Sequence, residues 1–185
     1  GHTSAELDFG IGWVAMLMCS LMGGIGGGLF SATLIRAADG LPGRAGRLLM
    51  RHPVAFAALC GLSIAVIGII SGGTTYGTGY EQARAMVEGT ADMGPAYVVL
   101  KFAATVVSYV SGIPGGLFAP SLAVGAGLGD WLSRLLPAAA PGAVVLLGMV
   151  AYFSGVVQAP ITATVIVMEM TDNQRVTVPL LATAF

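Results

Sequence analysis

The residues with the clearest capacity for chemistry are Gly115-Gly116-Leu117-Phe118-Ala119-Pro120, followed by the small-residue run 121–129. Two glycines interrupt the preceding apolar segment and let an ion or another chain approach the backbone. Proline is tolerated in the first turn of a helix, where its missing N–H would be unpaired anyway. The pattern therefore predicts a helix that begins near Leu117. Its first N–H groups have no partner within the helix, and their dipoles favour negative charge by roughly 0.3–1 kcal/mol, more where partly buried. Such an end is an anion site built from backbone, with no cationic side chain required. A lysine or arginine in the path would hold an anion tightly, whereas partial charges bind it and let it go. Packing offers a second explanation: Gly125, Gly127 and Gly129 would bring this helix close to a neighbour.

Other chemistries are poorly supplied. Ser154-Gly155 and Ser111-Gly112 each place a serine in a glycine-rich apolar setting, as an intramembrane serine hydrolase would. That reaction needs a base within hydrogen-bond reach. The histidines are His2, near the start, and His52, beside an arginine-rich loop. No His/Cys/Asp/Glu cluster has the spacing of a metal site, so neither a metal nor another cofactor is expected. Cys19 and Cys60 lie in apolar stretches and read as buried free thiols. Lys101 is the single lysine; such a side chain can snorkel to an interface, which makes it positional, with no part in transport. A non-transporting structural membrane subunit is a further alternative, and it would tolerate bulky side chains at Gly115 and Gly116.

The elements that must position these residues belong to a membrane protein. Of 185 residues, 56% are hydrophobic and 9% charged, far below the roughly quarter charged residues of a soluble domain. A net charge of −1 offers no basic face for nucleic acid, and the apolar content excludes disorder. Charge-free blocks punctuated by Gly and Pro predict helices near 10–37, 53–70, 80–90, 95–110, 117–135, 142–157, 160–170 and 174–185. The run Ser71–Gly79 is too rich in Gly and Thr for regular helix, so the second of these should end near Ile70. Glu81–Gly89 reads as a short amphipathic helix with Ala83, Met86 and Val87 on one side. Four of the eight basic residues, Arg36, Arg44, Arg47 and Arg51, share one connection, which places the 36–51 loop on the cytoplasmic side. Breaks at membrane depth must be buried in protein or line a polar cavity, a recurrent design of ion transporters. A start without Met and an end inside an apolar stretch are expected of a piece of something larger.

Three motifs in order make a resemblance. Gly115-Gly116-Leu117-Phe118-Ala119-Pro120 resembles the GGxFxP motif of the ClC family of chloride channels and chloride–proton antiporters. Gln158-Ala159-Pro160-Ile161-Thr162 resembles a turn joining two family helices, and Val167-Met168-Glu169-Met170-Thr171-Asp172 its Glu-Met-Thr helix ending. The resemblance covers essentially the whole chain and implies an all-α integral membrane protein, a ClC-type inverted-repeat bundle of tilted and broken helices of which residues 1–185 form the second repeat. It also implies that the amides of Leu117 and Phe118 coordinate chloride, that Gly115 and Gly116 permit the approach, and that the Phe118 ring helps line the path. Chloride is then the transported ligand, and the lipid bilayer and a second copy of the chain are the other partners. The homodimer would form through helices near 160–170 and 174–185, and the expected location is a bacterial inner membrane.

Departures from the family pattern limit what carries over. The family's first-half anion loop and its glutamate-bearing gating motif are absent, as is a tyrosine expected on a later helix. Ser111-Gly112-Ile113-Pro114 is spelled like the first-half serine motif, yet its position directly before Gly115 is that of a linking turn. Glu169 stands in the Glu-Met-Thr motif and reads as a helix-end anchor, with no gating role. Channel versus exchanger is left open.

Overall fold

The structure, a computed structural model, describes residues 11–38, 52–113, 115–137, 139–171 and 177–185. The described residues form helices α1 (Ile11–Ala38), α2 (Pro53–Ile70), α3 (Tyr80–Val87), α4 (Gly94–Val110), α5 (Phe118–Leu135), α6 (Pro141–Val157), α7 (Pro160–Thr171) and α8 (Thr177–Ala184), with no strand among them. Most of the arginine-rich 36–51 loop, with His2, Pro114, Asp172 and Arg175, lies outside the described residues.

The centre of the bundle is α6. Every residue from Ala143 to Ser154 is buried, which marks a helix apolar on all sides and covered on all sides. Its two principal neighbours are α1 and α5. Both approach until backbone meets backbone. A Cβ added to Gly148 of α6 would stand 2.6 Å from the Gly125 oxygen and 2.6 Å from the Gly129 nitrogen, both on α5. On the other side Gly23 of α1 lies against Ala151 and Tyr152, and Gly27 against Tyr152 and Gly155. Small residues at these crossings replace side-chain volume with close dispersion contact, the usual source of helix association in lipid.

Hydroxyls then tie the end of the chain to this core. Ser154 Oγ donates to the Ala184 carbonyl at 2.7 Å, and Ser20 Oγ to the Thr183 carbonyl at 2.8 Å. The periphery is different. Gly12–Ala37 and Pro53–Ile70 are both long and apolar enough to cross a membrane. Trp13, Leu17, Leu21, Ile25 and Leu29 form an exposed stripe at helical spacing along α1. On α2, Val54, Leu62, Ile69 and Ile70 are exposed, and the helix meets the rest of the molecule chiefly through α4.

The ends of the helices obey their sequences. Helix α2 starts with Pro53 in its first turn and stops at Ile70, where Gly72 (φ +62) and Gly73 (φ +85) turn left-handed and Gly73 N–H bonds the Gly68 carbonyl at 2.8 Å. Ala83 and Met86 of α3 are buried with Val87 packed beside them, so the short amphipathic helix lays its apolar side on the core.

Candidate anion site

The helix before α5, α4, ends at Val110, capped through Ser111, and Gly112 takes the left-handed conformation at φ +76. A left-handed C-terminal residue favours glycine because no Cβ clashes there. Ser111 forms the turn itself, its Oγ donating to the Ser108 carbonyl at 2.6 Å and accepting from Ile113 N–H at 3.3 Å. Gly115 and Gly116 follow in non-helical chain, Leu117 is the N-cap residue, and α5 starts at Phe118. Ser121 N–H closes the first helical bond to the Leu117 carbonyl at 3.0 Å, and Pro120 sits in the first turn, where no N–H is needed. The amides of Phe118 and Ala119 therefore have no partner within the helix.

A cavity of about 250 Å³ opens in front of this helix start. It is lined by Gly115, Gly116, Leu117 and Pro120, by Lys101, Ala104, Thr105 and Ser108 of α4, by the loop segment Thr75-Tyr76-Gly77 and by Ile64 of α2. At about 30 Å³ per water molecule, it has room for an ion with part of its hydration shell. No carboxylate borders it among the described residues. Phe118 does not border it: its ring is turned to Phe153 of α6, with centroids 5.1 Å apart, and 56% of the residue is exposed. The structure thus brings Gly115, Gly116 and Leu117 to one cavity and leaves the Phe118 side chain outside it.

Two features of the cavity escaped the sequence reading. Lys101 does not snorkel: it is 2% exposed, and its Nζ donates to the Thr75 carbonyl at 2.9 Å and the Gly77 carbonyl at 2.8 Å. An ammonium in an apolar interior must find such partners, because water is not there to supply them. The second is the 71–79 loop. Predicted only as a helix stop, it folds back as a wall: the Tyr76 ring lies over Gly68 of α2, its hydroxyl donates to the Ala65 carbonyl at 3.3 Å, and Gly79 (φ +81) passes between Ala123 of α5 and the end of Lys101. The signal available for Lys101 was its setting, since an ionisable residue at membrane depth is a functional candidate by default.

The remaining candidates lie elsewhere. The Ser154 hydroxyl is committed to the Ala184 carbonyl within the core. His52 is exposed at the N-cap of α2. Glu169 is exposed near the end of α7, and Gln158, left-handed at φ 53, closes α6 before Pro160 opens α7. The small-residue contact expected of the 121–129 run is present in part: Gly125 and Gly129 face α6, while Gly127 faces Tyr97 of α4.

Apolar helices long enough to cross a membrane, and a helix start without a side-chain cap beside a cavity, define a helical membrane protein with a broken-helix site. Comparison with known proteins gives the family. Residues 8–185 match the voltage gated chloride channel family, and the chain belongs to it. Chloride channel protein CLC-e of Arabidopsis thaliana is 32% identical across 68% of this chain. The chain spans about a fifth (21%) of that relative's length.

Proposed function

We propose that this chain forms the second inverted repeat of a chloride channel or chloride–proton antiporter, and that it holds the transported anion on backbone amides at the start of α5. The observation that carries this reading is the cavity in front of Leu117, lined by glycines and free of carboxylates. The amide of Leu117, which lines the cavity, supplies partial positive charge there with the Phe118 amide next to it at the helix start, and Gly115 and Gly116 keep the approach clear. Among the described residues, a Cβ at either glycine would meet no atom within 4 Å, which supports an open approach to the helix start. That observation favours an anion approach over a purely structural subunit.

Two further elements belong to the same proposal. Ile161, Val165 and Val178 stand exposed on α7 and α8, which supports a twofold homodimer through helices near 160–170 and 174–185. The arginines of the 36–51 loop support a cytoplasmic position for it in a bacterial inner membrane. The test is chloride efflux from liposomes containing the full-length protein. Efflux above that of empty vesicles is expected, and its absence with folded protein would sink the reading. Recording proton counter-movement in the same vesicles separates an exchanger, which couples the two ions, from a channel.

A further inference from the structure

We propose that Tyr76 sets the largest anion this cavity admits, and that Gly68 is the notch in α2 that seats its ring. The proposal rests on the anion reading of the cavity given above. Tyr76 borders the cavity together with Ile64 of α2 and Leu117 at the start of α5. Its place is fixed from two sides. The ring lies over Gly68, which is buried within α2, so closely that a Cβ there would overlap Cε1, Cζ and the hydroxyl of Tyr76. The hydroxyl donates to the Ala65 carbonyl of the same helix at 3.3 Å. The chain that carries the ring is held as well. Ser71 Oγ donates to the Gly68 carbonyl at 2.9 Å and pairs with Thr75 Oγ1 at 2.9 Å, while Thr74 Oγ1 donates to the Ser71 carbonyl at 2.9 Å.

A glycine inside a helix is unfavourable, because it gives up more chain freedom than alanine and packs less surface. At position 68 the missing side chain has an occupant, the phenol ring. With the ring seated there, the cavity keeps its volume of about 250 Å³. With a methyl there, the ring must leave the notch, and the backbone of α2 behind it cannot give way. Its open sides are the cavity and the surface, where Tyr76 is 48% exposed. An anion passing such a boundary is sorted by size, since the width of a path is one of the levers of ion selectivity. The loop's own bonds fix the backbone beneath the ring, so the boundary has a set position. Coordination stays with the helix-end amides, and Tyr76 is a positioning residue that acts through the space left in front of them.

The experiment uses full-length protein in liposomes, with chloride as the small probe and methanesulfonate as the large one, and reads the ratio of the two fluxes. Tyr76→Ala should raise the methanesulfonate-to-chloride ratio several-fold with chloride flux little changed. Tyr76→Phe keeps the ring in the notch and should keep the wild-type ratio. Gly68→Ala should lower the ratio, the larger anion losing more than chloride. The double variant Gly68→Ala/Tyr76→Ala should match Tyr76→Ala alone, because the new methyl then has no ring to displace. Such non-additivity marks two residues that act on one space. A merely structural role would lower the melting temperature and both fluxes together and leave the ratio where it was. If Gly68→Ala fails to fold, the Tyr76→Ala and Tyr76→Phe pair decides the matter. A Tyr76→Ala protein with the wild-type ratio, or a double variant that follows Gly68→Ala, would overturn the proposal while leaving the helix-end site intact. Wild-type vesicles with no chloride efflux above empty ones would instead remove the anion reading, and this inference with it.

Discussion

At the start of α5, Gly115 and Gly116 border a cavity, and a Cβ added to either would meet nothing within 4 Å. Further along the same helix, Gly125 and Gly129 lie so close to α6 that a Cβ would stand 2.8 Å from the Gly148 oxygen or 2.5 Å from the Val144 oxygen. The residue type is the same, and the reason for it is opposite. In the seam, glycine removes volume so that a neighbouring backbone can occupy the space. At the helix start, glycine leaves volume that none of the described residues fills. The sequence contains both uses within one short stretch, and composition cannot tell them apart. What separates them is the neighbour, or the lack of one, that a side chain would meet.

The comparison is broken most violently from the seam. Gly148→Val puts a branched side chain where α5 presents backbone atoms at 2.6–2.7 Å. Backbone cannot rotate away as a side chain can, so the cost should exceed the ~1–3 kcal/mol typical of overpacking. The expected result is loss of the folded full-length protein, read as aggregation on size-exclusion chromatography in detergent. A monodisperse, thermally stable Gly148→Val protein would show that α5 and α6 are not packed as described.

Gly79→Ala should be milder. Its φ of +81 is left-handed, which costs an L-residue about 1–2 kcal/mol, and the new methyl would press on Ala123. A lowered melting temperature together with weakened chloride binding is expected, because the displaced loop is a wall of the cavity. Destabilisation with unchanged binding would detach the loop from the site.

Smaller again is Ser154→Ala. It removes one buried hydrogen bond between α6 and the end of α8 and leaves the Ala184 carbonyl without that donor, a loss of about 1–3 kcal/mol. Chloride flux by the folded variant should be unchanged. Flux abolished without loss of stability would give this serine a functional role, contrary to its place in the core.

How much of this was legible beforehand depended on whether a feature is local. The stop of α2 before the glycine-rich run, the start of α5 beside Leu117 and the apolar side of α3 follow from cap chemistry and helical spacing, which a single sequence carries. Lys101 was taken for an interfacial side chain because its partners, the carbonyls of Thr75 and Gly77, are far away in the chain. Carbonyls have no signature in a sequence, so a buried charge satisfied by backbone is invisible until the fold is known. The orientation of Phe118 toward Phe153 was hidden for the same reason.

The finest test of the comparison is a single methyl at Gly116. The backbone there is not left-handed, and the added Cβ has open space around it. Replacing glycine by alanine at such a position restricts the unfolded chain and commonly raises stability by about 0.4–1 kcal/mol. The melting temperature of full-length Gly116→Ala should therefore hold or rise slightly, the reverse of any substitution in the seam. Chloride affinity should fall by a few-fold, because the methyl stands in the approach to the Leu117 amide and displaces water or anion from the cavity. Opposite signs for stability and affinity in one variant are what an unfilled ligand space produces. If both quantities fell together, Gly116 would belong with Gly125 and Gly129, and the two uses of glycine, before α5 and within it, would reduce to one.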